Sequence, residues 1–179
     1  MKHRLFIAID LPEATLSEIA ALMPQLDKLK IPLVWEKRPH LTLNFLGRAD
    51  SKLVIPLIPQ FHPFLLQPLY LDTLYNRHEP TILYLSLAKS EDLLQLQASI
   101  SSSISSITPQ PRKFLPHITI GRLKRTDPVS TKRFIDRISD FESPQFSSFA
   151  VDKITLYQSL ITQAGTTHQK LATFSFATS

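Results

Sequence analysis

The sequence predicts an α+β fold built from two related lobes, and three observations predict it. Segments whose apolar residues alternate at period two are interleaved along the chain with segments whose apolar residues recur at helical spacing. The 179 residues are 43% apolar, enough to build a real core within the usual size of one domain. Finally, Pro39-His40-Leu41-Thr42-Leu43 in the first half returns as Pro116-His117-Ile118-Thr119-Ile120 in the second, each in a predicted strand that follows a helix.

Taken in order, Arg4 to Ile9 is a short apolar run that reads as the opening strand, and Pro12 stands where a first helical turn tolerates proline. From there Leu16, Ile19, Ala20, Met23 and Leu26 recur at helical spacing. Leu33 to Trp35 and His40 to Leu46 read as strands, the second with Leu41, Leu43 and Phe45 alternating on one face. Pro56, Pro59 and Pro63 break the stretch from Asp50 to Pro63, which leaves room for a short helix at most. Leu69 to Leu74 and Ile82 to Leu87 alternate at period two and read as a strand pair. Ser90, followed by Glu91 and Asp92, caps a helix to Ile107 that keeps Leu93, Leu94, Leu96, Ile100, Ile104 and Ile107 largely on one side. The serines from Ser99 to Ser106 have a linker's composition, but the isoleucine spacing favours an amphipathic helix with small polar residues outside. A strand at Phe114 to Ile120, a helix around Thr131 to Ile138, strands near Phe146 to Tyr157 and a final strand at Leu171 to Phe176 complete the order.

Composition excludes several chemistries. With no cysteine there is no disulfide scaffold, thiolate zinc site, iron–sulfur cluster or cysteine nucleophile, and a reducing cytoplasm is the expected setting. Three glycines, Gly47, Gly121 and Gly165, cannot build a Gly-rich phosphate loop of the Walker or dinucleotide kind. The apolar run before Asp10 and Glu13 is too short for a signal-peptide core or a membrane span, so a soluble protein without a membrane partner is expected. The net charge of +5 is uneven. Arg112, Lys113, Arg122, Lys124, Arg125, Lys132, Arg133 and Arg137 face only Asp127 and Asp136 within their stretch, so one segment is cationic enough to meet an anion.

Because side chains alternate along a strand, His40 and Thr42 share one face, and so do His117 and Thr119. If the repeat reflects a pseudo-twofold arrangement, the two strands side by side line one cleft with two imidazoles and two hydroxyls. That set provides an acid and a base with hydrogen-bond donors between them. Two occurrences with a shared preceding proline outweigh the alternative of two unrelated strand histidines.

On these residues the chain resembles the 2H phosphoesterase superfamily, marked by two His-x-Thr/Ser-x motifs, and within it the bacterial RNA 2′,3′-cyclic phosphodiesterases of the LigT/ThpR, or 2′-5′ RNA ligase, family. Arg4 to Pro12 resembles the family's opening strand and turn, His40 to Gly47 its first motif, and Phe114 to Arg122 its second. Leu156-Tyr157-Gln158-Ser159, with Leu171 and Phe174, resembles its closing strands, so the likeness spans nearly the whole chain. Two departures stand out. The family usually has a slightly longer segment between the tryptophan matching Trp35 and the first motif histidine, and often a tyrosine where His168 stands.

The resemblance implies a single domain over residues 1–179, made of two intertwined, pseudo-symmetric lobes. Each is an antiparallel sheet with helices on the outside, and the lobes flank a central cleft. It implies metal-independent opening of RNA 2′,3′-cyclic phosphate ends to 2′-phosphates, with reversible 2′-5′ ligation as a further activity. His40 would protonate the leaving oxygen and His117 would deprotonate the attacking water, while Thr42, Thr119 and Arg122 would bind the phosphate. The residue types agree, because an imidazole with an ordinary pKa of ~6.5 can serve as acid or base near neutrality. A coupled pair of imidazoles in one site would titrate together. Neither a metal nor another cofactor is expected, and a monomer acting on RNA ends or nucleoside 2′,3′-cyclic phosphates is.

Several positions keep two readings. Strict alternation puts Arg122 on the face of Ile118 and Ile120, so it reaches the phosphate only if the strand bends or ends at Gly121; otherwise it is a solvated surface arginine. Trp35 and Phe45 either stack a base at the cleft rim or fill the core, the core being favoured. The basic segment either tracks an RNA backbone or forms the outer face of a helix at Lys132, Arg133 and Arg137. His3, His62, His78 and His168 lack ligand-like spacing and read as surface or turn residues. Rival functions are hydrolysis of small cyclic nucleotide-sugar phosphates or of 2′-5′ oligonucleotides, and a noncatalytic RNA-binding module.

Overall fold

The computed structural model describes residues 2–30, 33–76, 79–108, 113–124, 127–162 and 165–177. Its first strand, β1 (His3–Asp10), shows how the sheet divides two environments. Leu5, Ile7 and Ile9 point into the main core, against Ile19, Leu22 and Leu26 of helix α1 (Glu13–Lys28). The intervening Phe6 and Ala8 join Tyr157 in a separate small cluster on the opposite face. A strand buried on both faces therefore serves two purposes, holding a helix behind it and a ring cluster in front.

The remaining elements follow the expected order. β2 (Leu33–Trp35) and β3 (His40–Ala49) lead to a one-turn helix α2 (Ser51–Val54) and a 3-10 turn at Ile55–Leu57, the short helical piece that the prolines allow. β4 (Phe64–Leu66), β5 (Pro68–Asn76) and β6 (Glu79–Leu87) precede helix α3 (Glu91–Ser103). β7 (Ile118–Leu123), helix α4 (Pro128–Ser139), β8 (Phe149–Val151), β9 (Lys153–Thr162) and β10 (Gly165–Ser175) complete the chain.

Eight strands form one antiparallel sheet in the order β10-β9-β1-β3-β7-β6-β5, with β2 also paired to β7, while β4 and β8 make a separate two-stranded ribbon. β3 and β7 meet through a single register pair, Leu41 opposite Ile118. That seam divides the sheet into β10-β9-β1-β3 on one side and β7-β6-β5 with β2 on the other, in keeping with the α+β expectation. The serine-rich segment is helical as far as Ser103, short of the expected end at Ile107, and residues 104–107 form turns instead. Ser90 accepts from the Leu93 amide at 3.2 Å, and Leu93, Leu96 and Ile100 are buried.

Three expectations about strands need correction. The strand expected at Phe114 begins only at Ile118 and runs on to Leu123, because Pro116 has no amide to give a ladder. The last strand begins at Gly165, well before Leu171, since it continues a hairpin with β9 in which alternation is masked by polar residues on both faces. β4 went unforeseen, three residues being too few for a period to register. Among the described residues, no helix is long and apolar enough to cross a membrane.

Candidate active site

The seam positions both motifs. Counting outward from Leu41 and Ile118 in an antiparallel register, His40 lies across from Thr119 and Thr42 across from His117. The histidines are then diagonal neighbours, a relation that on a regular ladder separates positions by about 7–8 Å. Leu41 and Ile118 are fully buried, and the alternate residues face the other way. His40, Thr42, His117, Thr119 and Arg122 line one cavity of about 470 Å³, together with Glu36, Phe45 and His168.

Each histidine is held the same way. His40 Nδ1 lies 2.8 Å from the carbonyl of Arg38, and His117 Nδ1 lies 2.8 Å from the carbonyl of Leu115. A carbonyl only accepts, so Nδ1 carries the hydrogen in both rings and Nε2 is left for the cleft. The shared proline explains the repetition. Pro39 and Pro116 fix the φ between that carbonyl and the ring and push the preceding residue towards extended backbone, which presents its carbonyl to the imidazole. A neutral ring held so offers Nε2 as a base; a protonated one offers Nε2–H as an acid.

Arg122 reaches the cavity through a register shift. On β7, Gly121 pairs with Leu83 and Thr119 with Tyr84, so Ile120 is an extra residue in the ladder. Ile120 and Gly121 are both buried, alternation skips a beat, and Arg122 returns to the face of His117 and Thr119. This is the bend at Gly121 that the strand pattern required. β3 repeats it. Ala8 pairs with Thr42 and Ile7 with Asn44, Leu43 is the extra residue, and Leu43 and Asn44 are both buried.

The same shift overturns two expectations for Phe45. Rather than sharing a face with Leu41 and Leu43, or filling the core, it is 73% exposed and lines the cavity. Phe45 and Arg122 therefore occupy equivalent places, five residues after His40 and His117. Trp35 is different: it packs against the main core, as the favoured reading had it.

His168 is the residue that sequence reasoning missed. Instead of lying on a surface or turn, it sits within β10 and forms part of the cavity wall. Its ring stands edge-on to His40 at 5.6 Å and to Phe6 at 4.9 Å, and Phe6 stacks on His40 at 5.3 Å and on Tyr157 at 5.1 Å. The signal available was its place where the resembled family often has an aromatic residue. Burial, with the positive charge of His40, lowers the His168 pKa; Glu36 opposes this, and Arg38 and Arg122 add to it.

Behind this wall, Asp10 accepts hydrogen bonds from Thr155 at 3.0 Å, from Lys170 at 2.8 Å and from the Tyr157 hydroxyl. Burial alone would raise the Asp10 carboxyl, but these donors and the Lys170 charge outweigh it and hold it below its ordinary value. Burial first, then the bond to Asp10 and its charge, drive the Tyr157 phenol well up. Across the seam, Tyr84 stands edge-on to His117 at 5.6 Å and donates to Asp72 at 2.8 Å.

The other candidates scatter. His3 receives a hydrogen bond from Gln158 at 3.0 Å, and His62 is exposed beside Asp92, while His78 lies outside the described residues. The basic segment splits. Arg122 enters the cavity, Arg137 donates to the Leu29 carbonyl at the end of α1, and Lys132 and Arg133 are exposed on α4; Arg112 and Arg125 lie outside the described residues. Among the described residues, no three or more His, Asp or Glu side chains gather as a metal site would need.

Comparison with known proteins gives a family and a fold. Residues 85–165 match the family described as LigT like Phosphoesterase. The RNA 2′,3′-cyclic phosphodiesterase of Methanocaldococcus jannaschii is 31% identical over 166 residues, covering 90% of this chain and 94% of that protein. The protein of the same name from Thermotoga maritima is 27% identical, covering 94% and 92%. Among solved structures, E. coli LigT in apo form superposes with a TM-score of 0.77 at 24% identity, covering 99% of each chain.

Proposed function

This chain belongs to the LigT-like phosphoesterase family of the 2H superfamily, and from that premise we propose that it hydrolyses RNA ends carrying a 2′,3′-cyclic phosphate to 2′-phosphates. The observation that carries the proposal is the shared geometry of His40 and His117, each with Nδ1 on a carbonyl and both lining one cavity with two threonines and an arginine. Opening the ring needs a base for water and an acid for the departing ribose oxygen. His117 Nε2 takes a proton from water as its oxygen attacks phosphorus. The bond from phosphorus to O3′ breaks, and His40 Nε2–H gives O3′ its proton. The two rings then hold exchanged protonation states, and solvent restores them.

Thr42, Thr119 and Arg122 donate to the non-bridging oxygens, where negative charge grows in the transition state. Phe45, apolar and exposed inside the cavity, supplies a stacking face for the terminal base. With a 5′-hydroxyl of a second RNA in place of water, the same groups form a 2′-5′ linkage. The lack of cysteine supports a cytoplasmic setting.

The test is incubation with a nucleoside 2′,3′-cyclic phosphate in the presence of a chelator, with the product identified by chromatography. The 2′-monophosphate is expected, and His40→Ala and His117→Ala should each lower kcat by about 10²–10⁴. Full turnover by either variant would sink the two-histidine mechanism; a 3′-monophosphate would reverse the assignment of the leaving oxygen. Joining of a cyclic-phosphate end to a 5′-hydroxyl oligonucleotide, resistant to a 3′-5′-specific nuclease, tests the ligation.

A further inference from the structure

The cleft has a second compartment that the proposed reaction does not use. It is a cavity of about 230 Å³ that shares Phe6, His40 and His168 with the first but excludes His117, Thr119 and Arg122. His40 and His168 thus form a partition between the two. Its floor is apolar, from Phe6, Leu11, Leu16 and Pro39, and its cations are Lys37, Arg38 and Lys170.

These cations are not equivalent. Lys170 is engaged with Asp10 at 2.8 Å, which balances the carboxylate in the compartment. Lys37 and Arg38 are exposed and have no ion-pair partner among the described residues. The chain places them there for a reason visible in the register. β2 pairs Trp35 with Gly121 and β3 pairs Leu41 with Ile118, so with His40 across from Thr119 the four residues 36–39 stand against Ile120 alone and must loop out of the sheet. The Arg38 carbonyl holds the His40 ring from this loop, and Arg38 also lines the second compartment.

We propose that this compartment is a subsite for the nucleotide immediately 5′ of the cyclic-phosphate nucleotide, with its phosphodiester on Lys37 and Arg38 and its nucleoside on the apolar floor. The inference rests on the function proposed above and gives it a direction. His40 protonates O3′, so the terminal ribose lies on the His40 side and the attacking water on the His117 side. The rest of the RNA leaves that ribose through its 5′-oxygen, and the compartment that touches His40 but not His117 is where the next phosphate and nucleoside must go. An unpaired lysine and arginine above an apolar floor match a phosphodiester followed by a base.

The experiment compares kcat/KM for a nucleoside 2′,3′-cyclic phosphate with that for a dinucleotide ending in the same group, and for that dinucleotide with a neutral methylphosphonate linkage. The natural dinucleotide is expected to be favoured about ten- to hundredfold, and the methylphosphonate to lose most of that advantage. The double variant K37A/R38A should lose it as well, whereas K132A/R133A, which removes the same charge from α4, should keep it. The inference is overturned if wild type treats the mononucleotide and dinucleotide alike, if K37A/R38A retains the preference, or if both double variants lose it equally. In each of those cases, turnover of the mononucleotide leaves the proposed function standing. Failure of wild type on both substrates removes the proposed function itself.

Discussion

At the residue scale, the two motif histidines differ in their neighbours rather than in their anchoring. His40 has Phe6 beneath it and His168 beside it, while His117 has Tyr84. His168 has a consequence that titration can read. Its pKa is lowered by burial first and by the charge of His40 next, so the folded protein prefers the ring neutral. The unfolded chain takes up the proton nearer ~6.5, so it binds more protons in that window and stability falls as pH drops from there through the lowered folded value. Wild type and His168→Tyr should show a melting-temperature difference that is constant above neutrality and moves against wild type in mildly acid buffer. A difference that does not change with pH would show that His168 titrates normally. What the sequence made legible at this scale was the pair of motifs, because each is local. His168 was not, since its role depends on its ring reaching past β9 to Phe6 and His40, a contact no spacing encodes.

At the element scale, the two register shifts decide what the cleft contains. Gly121 shows why the second one tolerates little else: a Cβ there would come within 3.0 Å of the Val34 carbonyl oxygen and 3.2 Å of Leu33 Cδ2. Gly121→Ala should therefore push β2 from β7, cost about 1–3 kcal/mol in denaturant unfolding, and lower kcat/KM in the same manner as Arg122→Ala. A variant unchanged in both measurements would show that the shift does not depend on the glycine. The glycine was a readable hint of the bend, whereas the shift in β3 had none. Asn44, its second buried residue, donates to Ser101 of α3 at 2.7 Å, so that helix backs the shift from behind. An extra residue in a ladder is defined by the count on the partner strand, so Phe45's true face was hidden until β1 was laid alongside β3.

At the scale of the whole molecule, the repeat predicted that two distant segments converge, and the sheet places them at its central seam. The strand order itself was not legible, because nothing local says that the last hairpin joins the half begun by β1. The seam rests on Leu41 and Ile118, both fully buried. Leu41→Ala should cost about 2–5 kcal/mol, and the double variant with Ile118→Ala should depart from additivity by about 0.5–3 kcal/mol; additive losses would mean that the halves are held together elsewhere. The interleaving has one further outcome. β2 crosses from the early segments into the far half, and β9 and β10 return from the late segments to the near one, so the walls beside His40 come from stretches far apart in sequence. A chain made only as far as α4 holds both histidines yet lacks Tyr157 and the β10 ring beside His40, and contacts of such long range form slowly. The wall beside His40 therefore closes only once β9 and β10 have joined β1, after both motifs are already in the chain.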